Sequence, residues 1–205
     1  MNFKTGAMFG LDARIALAIF GALSVISAAA LYSAIQSAKT EKYNQYFREL
    51  KKASEQYYLD NYKYIEINHA GYLRLFIEDL AVNRESLSTW KGPYWSANHA
   101  AGNIIKDSMT ESLHSDAAVY LFLRKSSTWT EMNDFTNEIC ISGNPDCYQW
   151  LTLYSGNASK ADELKSIFNI LDSIIDSGDG ELDGTVRFNS NGAGYLMFKG
   201  FKHKY

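Results

Sequence analysis

Four histidines, two cysteines and a run of acids are the side chains of this sequence that could do chemistry, and their spacing decides which chemistry. His69, His99, His114 and His203 are scattered, with no His-Glu-x-x-His pair to seat a zinc ion on one helix face. No serine stands in a Gly-x-Ser-x-Gly elbow, and no glycine-rich phosphate loop follows a strand pattern. These residues describe a protein that is not an enzyme and carries no cofactor. Asp176, Asp179, Glu181 and Asp183 crowd one glycine-rich turn. Calcium takes roughly six to eight oxygen ligands, which makes Asp176, Asp179 and Asp183 candidates for such an ion. Their spacing departs from the EF-hand loop, however, and a solvated turn is the simpler reading, so no metal is assigned. Asn157-Ala158-Ser159 fits a glycosylation sequon, a pattern that also arises by chance.

Cys140 and Cys147 bracket a Gly-Asn-Pro turn that can bring them within disulfide reach. No histidine or further cysteine accompanies them at zinc-finger spacing. A disulfide persists outside the cytoplasm, so the pair points to a periplasmic or external compartment. The net charge of −3 gives no footing for nucleic acid.

The elements that must carry these residues read as α+β. In Asp116-Ala-Ala-Val-Tyr-Leu-Phe-Leu-Arg-Lys125 both alternating faces are apolar, which predicts a central strand. Lys160 to Ile175 places Leu164, Ile167, Phe168, Leu171, Ile174 and Ile175 on one helical face, with Gly178 and Gly180 to end it. Thr185–Asn189 and Gly194–Phe201 read as two strands joined by Asn-Ser-Asn-Gly. Asn98–Leu113 carries a weak helical pattern, and Tyr62–Leu80 reads as a second helix or irregular cover. Together these predict a head, residues 61–205, with additional helices and a small antiparallel sheet. The 46% hydrophobic and 14% aromatic content of the chain supplies a core for it.

Ahead of that head lies a different kind of segment. Ile15 to Ile35 contains no charge, and at about 1.5 Å per residue it spans the roughly 30 Å hydrocarbon core of a bilayer. The alternative is a buried helix of a soluble core. Ser24, Ser27, Ala28, Ala29, Ala30 and Ser33 make the run less greasy than a leucine anchor, and small residues let helix backbones approach in lipid. No Pro or Gly follows until Gly71, while Tyr43, Tyr46, Phe47, Leu50, Ala53 and Tyr57 recur at three-and-four spacing. One helix, residues 11–60, is predicted to carry both halves. Lys39, Lys42, Arg48, Lys51 and Lys52 outnumber Lys4 and Arg14 ahead of the run, which by the positive-inside tendency favours a cytoplasmic head. The cysteine pair argues the opposite and is given the greater weight.

This N-terminus resembles the type IV pilin and type II secretion pseudopilin family, in which a short leader ends in glycine and an apolar helix follows. The resemblance implies a leader of residues 1–10, cleavage by a prepilin peptidase between Gly10 and Leu11, and N-methylation of Leu11. Two positions differ from the family pattern. Its usual glutamate at the fifth mature position is Ile15 here, and its proline near the twenty-second is Tyr32. In the family that carboxylate pairs with a neighbouring amino terminus within lipid, where an unpaired charge is costly. Asp12, beside Arg14, is the acid left to take that part. Trp90-Lys-Gly-Pro-Tyr-Trp95 is similar to a segment that follows the helix in many pilins, and Ile170 to Phe188 is similar to their pattern of helix, Asp-Gly turn and strand.

What the resemblance implies is a structural subunit of a type IV pilus or a secretion pseudopilus. It would be anchored in the bacterial inner membrane by a single pass with its head in the periplasm. Its partners would be other pilin-like subunits, the inner-membrane assembly platform, the prepilin peptidase and membrane lipid. Asp12, Arg14, Ile15, Phe20, Ala28 and Ile35 would lie on the membrane and assembly helix. The alternative is an anchored periplasmic binding protein that never polymerises.

Overall fold

A computed structural model of the chain describes residues 6–69, 72–129, 140, 143, 146–190 and 193–204. It divides into two compact units, Met1–Glu41 and Lys42–Tyr205. Helix α1 runs without a break over Gly6–Asn61, as the absence of Pro and the long helical pattern predict. The first unit is its N-terminal stretch.

The second unit is α+β, and its sheet is antiparallel throughout. Strands β1 (Ile67–His69), β2 (Arg74–Leu75), β5 (Ala118–Lys125), β6 (Cys147–Ser155), β7 (Val186–Asn189) and β8 (Gly194–Lys202) lie in the order β1-β2-β5-β6-β8-β7. The hairpin of β3 (His99–Ala101) and β4 (Ile104–Lys106) joins β5 beside β2, which makes eight strands. The Asp116–Lys125 run is the predicted central strand. Its neighbour β6 went unread because its residues follow the cysteine turn with no polar alternation to mark them.

Alternation across the pleat sorts the side chains into two layers. Val119, Leu121 and Leu123 of β5, Leu151 and Leu153 of β6, and Leu196 and Phe198 of β8 join one core with Tyr43, Tyr46, Phe47, Leu50 and Tyr57 of α1. Phe47 stacks on Phe198 with ring centroids 5.5 Å apart. Helix α3 (Ala158–Ile175) covers the β7–β8 end of the same face through Leu164, Ile167, Phe168 and Leu171, the first four positions of the predicted face; Ile175 is only partly buried against it, and Ile174, expected there too, is 69% exposed. The helix closes over Gly194, where a Cβ would stand 2.8 Å from the Ala161 Cα. The other face of the sheet carries Phe122, Trp129, Trp150 and Met197.

The helical reading of Asn98–Leu113 is corrected. Gly102, at φ +57°, reverses the chain between β3 and β4, and only the last part, α2 (Ser108–Leu113), is helical. Asp107 caps that helix in a reciprocal box with Thr110. Tyr62–Leu80 forms β1, β2 and a 3-10 turn at Ile77–Leu80 rather than a second α-helix. The Asn-Ser-Asn-Gly connection of β7 and β8 pairs as predicted, Asn189 opposite Tyr195, with residues 191 and 192 outside the described residues.

Helix α1 stops in an unusual way. Tyr62 follows it in the left-handed region, φ +49°, with its N–H donating to the Tyr58 carbonyl at 2.7 Å, a position that favours glycine. Its side chain is 85% exposed and contributes little to the core. Tyr62→Gly is therefore expected to stabilise the fold by about 1 kcal/mol through relief of the Cβ clash. Chemical denaturation of both proteins measures the difference.

Candidate functional site

The most distinctive surface lies in the first unit. From Asp12 onward α1 is long and apolar enough to cross a membrane, and the apolar window is wholly unburied. Ile15, Leu17, Ile19, Phe20, Leu23, Val25, Ile26, Leu31, Tyr32 and Ile35 are each at least 46% exposed. Ala28 is exposed among them, and a Cβ placed on Gly10 or Gly21 would meet nothing within 4 Å. Within this chain the segment is not packed as a soluble-core helix would be, because a core helix buries its apolar side chains. Its polar groups suit an apolar surrounding: Ser24 Oγ donates to the Phe20 carbonyl at 2.8 Å, and Thr40 Oγ1 to the Gln36 carbonyl at 2.9 Å. Asp12 and Arg14 sit exposed at the front. Gly10 and Leu11 are both helical, and residues 1–5 of the expected leader lie outside the described residues.

Cys140 and Cys147 form a disulfide, Cα to Cα 5.7 Å, with both residues buried. The bridge joins Cys140 to the first residue of β6, the pairing that their spacing predicts.

Of the three calcium candidates the structure joins Asp176 and Asp179, and adds Asp172: one oxygen of each lies within 4.8 Å of the others. Partial desolvation, a hydrogen bond with Asp172 and the charges of Asp176, Asp172 and Asp183 hold Asp179 above the usual carboxylate range. Asp176 Oδ2 accepts from the backbone N–H groups of Thr185 (2.8 Å) and Val186 (2.7 Å), so it closes the turn into β7. The third candidate, Asp183, stands outside that group. It accepts from Thr128 Oγ1 at 2.6 Å and from its neighbour Gly184 N–H, which hold its carboxyl low. Gly184, at φ +74°, has room for no side chain, because a Cβ would come 2.6 Å from the Asp176 carboxyl. The loop is built first as a turn.

Two of the histidines, His203 and His114, are likewise put to structural use. His203 Nδ1 lies 3.5 Å from Gln149 Nε2, and Gln149 Oε1 accepts from Ser54 Oγ at 3.0 Å. His114 Nδ1 contacts Asp116 Oδ1, which also accepts from Ser155 Oγ at 3.2 Å, so the serine is bonded to the acid rather than to the imidazole. That order does not activate a nucleophile. Asn157 caps α3, its Oδ1 accepting from Lys160 N–H, so its side chain is committed to the helix.

The Trp90–Trp95 segment is a strap over the α1 side of the core. Its peptide before Pro93 is cis, Tyr94 and Trp95 N–H both donate to the Leu80 carbonyl, and Trp90 Nε1 donates to the Asp79 carbonyl. Trp95 Nε1 donates to Asp107 Oδ2 at 3.0 Å, the same oxygen that accepts from Tyr46 of α1 at 2.7 Å. Asp107 was not singled out by its sequence, although Asp-x-x-Thr before an apolar run is a capping signal.

Compared with protein-family models, with curated proteins and with solved structures, the chain matches none.

Proposed function

We propose that this chain belongs to the class of single-pass, membrane-anchored α+β proteins of the bacterial cell envelope, with its head on the side of the membrane where disulfides form. Within that class we read it as a pilin-like structural subunit of a type IV pilus or a type II secretion pseudopilus. The observation that carries the reading is α1 itself. One helix offers lipid a fully exposed apolar stretch over Ile15–Ile35, and its last turns supply the core of an antiparallel head. A membrane anchor alone has no need to continue as the principal core helix of its domain. A filament subunit does, because contact between apolar helices replaces contact with lipid on extraction. In this reading Asp12 and Arg14 set the register between subunits, and Phe20, Ala28 and Ile35 lie in the helix-to-helix contact. The Cys140–Cys147 bridge supports the periplasmic side.

The test is the intact mass and N-terminal sequence of the protein extracted from native membranes. A chain starting at an N-methylated Leu11 is expected; one starting at Met1 overturns processing and favours the anchored binding protein that does not polymerise. Ala28→Leu, which fills the small-residue face, is expected to abolish filament formation while the head keeps its melting temperature. Normal assembly by that variant sinks the helix-packing account.

A further inference from the structure

Three aromatic side chains and a histidine gather where α1 ends. Tyr58, in the last turn of α1, lies against Tyr64, just beyond that helix, with ring centroids 4.5 Å apart and planes tilted by 30°. Phe201 of β8 stands 5.9 Å from both rings, and His203 packs on Tyr64 at 4.2 Å. Other tyrosine pairs among the described residues are wider and more steeply inclined: Tyr154 and Tyr195 at 4.9 Å and 49°, Tyr57 and Tyr94 at 5.8 Å and 76°, Tyr120 and Tyr154 at 5.9 Å and 82°.

The Tyr58–Tyr64 pair also brings its polar ends together. Burial, and after it the Tyr58 hydroxyl, hold the Tyr64 phenol above its ordinary range, an effect that requires the two hydroxyls to lie close. Phenols couple through the ring carbons beside their hydroxyls. A pair that shares both ring faces and hydroxyl ends therefore holds the reacting carbons side by side, which turns a second-order encounter into an intramolecular step. Both tyrosines are partly exposed, so an oxidant in solution can take an electron from either.

We propose that Tyr58 and Tyr64 are an oxidative modification site, joined as dityrosine by a peroxide acting through a one-electron oxidant. Each phenol gives up one electron and its hydroxyl proton, and the two phenoxyl radicals form one carbon–carbon bond between the carbons next to their oxygens. The hydrogens on those carbons then move to the oxygens, which restores both phenols. Two electrons and two protons leave in all, and hydrogen peroxide takes them up with two further protons' worth of oxygen already in hand, ending as two waters. The cluster selects the partner: a radical on Tyr64 has Tyr58, Phe201 and His203 about it, and of these only Tyr58 is a phenol. The bond ties the last turn of α1 to the segment that enters β1, across Tyr62 and its positive φ. The proposal is independent of the filament reading.

The test is brief photolysis of the full chain, in lipid nanodiscs holding one copy each, with tris(bipyridyl)ruthenium and persulfate, which accepts the two electrons and becomes sulfate. Trypsin, cutting after Lys63, then separates Ala53–Lys63 from Tyr64–Arg74. The two peptides are expected as one species, two hydrogen atoms lighter than their sum, with the blue fluorescence of dityrosine. Tyr58→Phe and Tyr64→Phe, which keep the rings, are each expected to abolish that species, and either serves should the other fail to fold. Tyr62→Phe, in the same peptide but with its side chain 85% exposed, is expected to leave it. The chain unfolded in urea is expected to yield several-fold less. No joined peptide overturns the proposal, as does one that survives Tyr58→Phe or Tyr64→Phe, one lost in Tyr62→Phe, or an equal yield from the unfolded chain.

Discussion

Asp107→Ala is expected to cost the head about 4 kcal/mol, enough to leave a marginal domain largely unfolded. The carboxylate is 4% exposed and accepts four hydrogen bonds: from Met109 and Thr110 N–H at one oxygen, and from the Tyr46 hydroxyl and Trp95 indole at the other. Loss of the cap alone costs about 1 kcal/mol. The larger share comes from two side-chain donors left without an acceptor, the buried Tyr46 hydroxyl on α1 and the part-buried Trp95 indole on the strap, at about 1–3 kcal/mol each before relaxation. Asp107→Asn separates the contributions. An asparagine caps a helix as well as an aspartate does, but its amide nitrogen faces the donor-only Trp95 indole and can bond Tyr46 only if that hydroxyl turns to accept. An intermediate loss is expected. Urea denaturation of the three proteins measures it, and an alanine variant within 1 kcal/mol of the parent would show that the strap holds without this acid.

The second large effect is pH-dependent. Burial pushes His203 down to about 4, from an ordinary value near 6.5. Its imidazole lies against the Tyr64 ring, 4.2 Å between centroids, with Gln149 at its Nδ1 and Lys202 and Lys204 beside it in the chain. No carboxylate among the described contacts of the ring offsets a proton there. Between pH 6.5 and 4 the unfolded chain takes up that proton and the folded chain does not. Stability contributed by the neutral imidazole is thus fully present above pH 6.5 and drains away as the pH falls toward 4. The loss amounts to roughly 3 kcal/mol, at about 1.36 kcal/mol for each unit between the two values. His203→Phe, which cannot titrate, is expected to flatten the stability curve over this window. Thermal melts at closely spaced pH values compare the two proteins, and parallel curves would refute the assignment.

Legibility in the sequence followed the reach of each signal. Helix α3 and strand β5 were readable because each carries its whole pattern within about two dozen residues. The α1 periodicity was readable for the same reason, and so was the disulfide, whose cysteines stand seven residues apart. What the sequence hid was assembled from a distance. Ser54 and Gln149 meet across 95 residues, Tyr46 and Asp107 across 61, and Gln149 and His203 across 54. No local spacing announces such partners. The Asn98–Leu113 misreading had a local cause: Ala-Ala-Gly-Asn looks compatible with a helix until Gly102 takes a positive φ, which composition alone does not require. The acids of the Asp176–Asp183 loop were readable as a cluster, but their division into a turn-closing Asp176, a crowded Asp179 and a separately bonded Asp183 depends on which backbone N–H groups fold toward each.

The stacking of Phe47 on Phe198 also orders events in time. Synthesis proceeds from the N-terminus, so α1 emerges first, whereas β8, the strand that covers it, is among the last segments to appear. Strand β7 must wait as well, since its ladder partner in the sheet is β8, made after it. Pairings of this range close late and slowly. Throughout translation the aromatic stripe Tyr43, Tyr46 and Phe47 therefore stays uncovered, at the growing chain's most hydrophobic end, where aggregation is the competing fate. In the proposed anchored reading, a bilayer that receives the adjoining apolar turns would tether that end while the sheet is completed, and insertion would be a step in folding as well as a means of attachment.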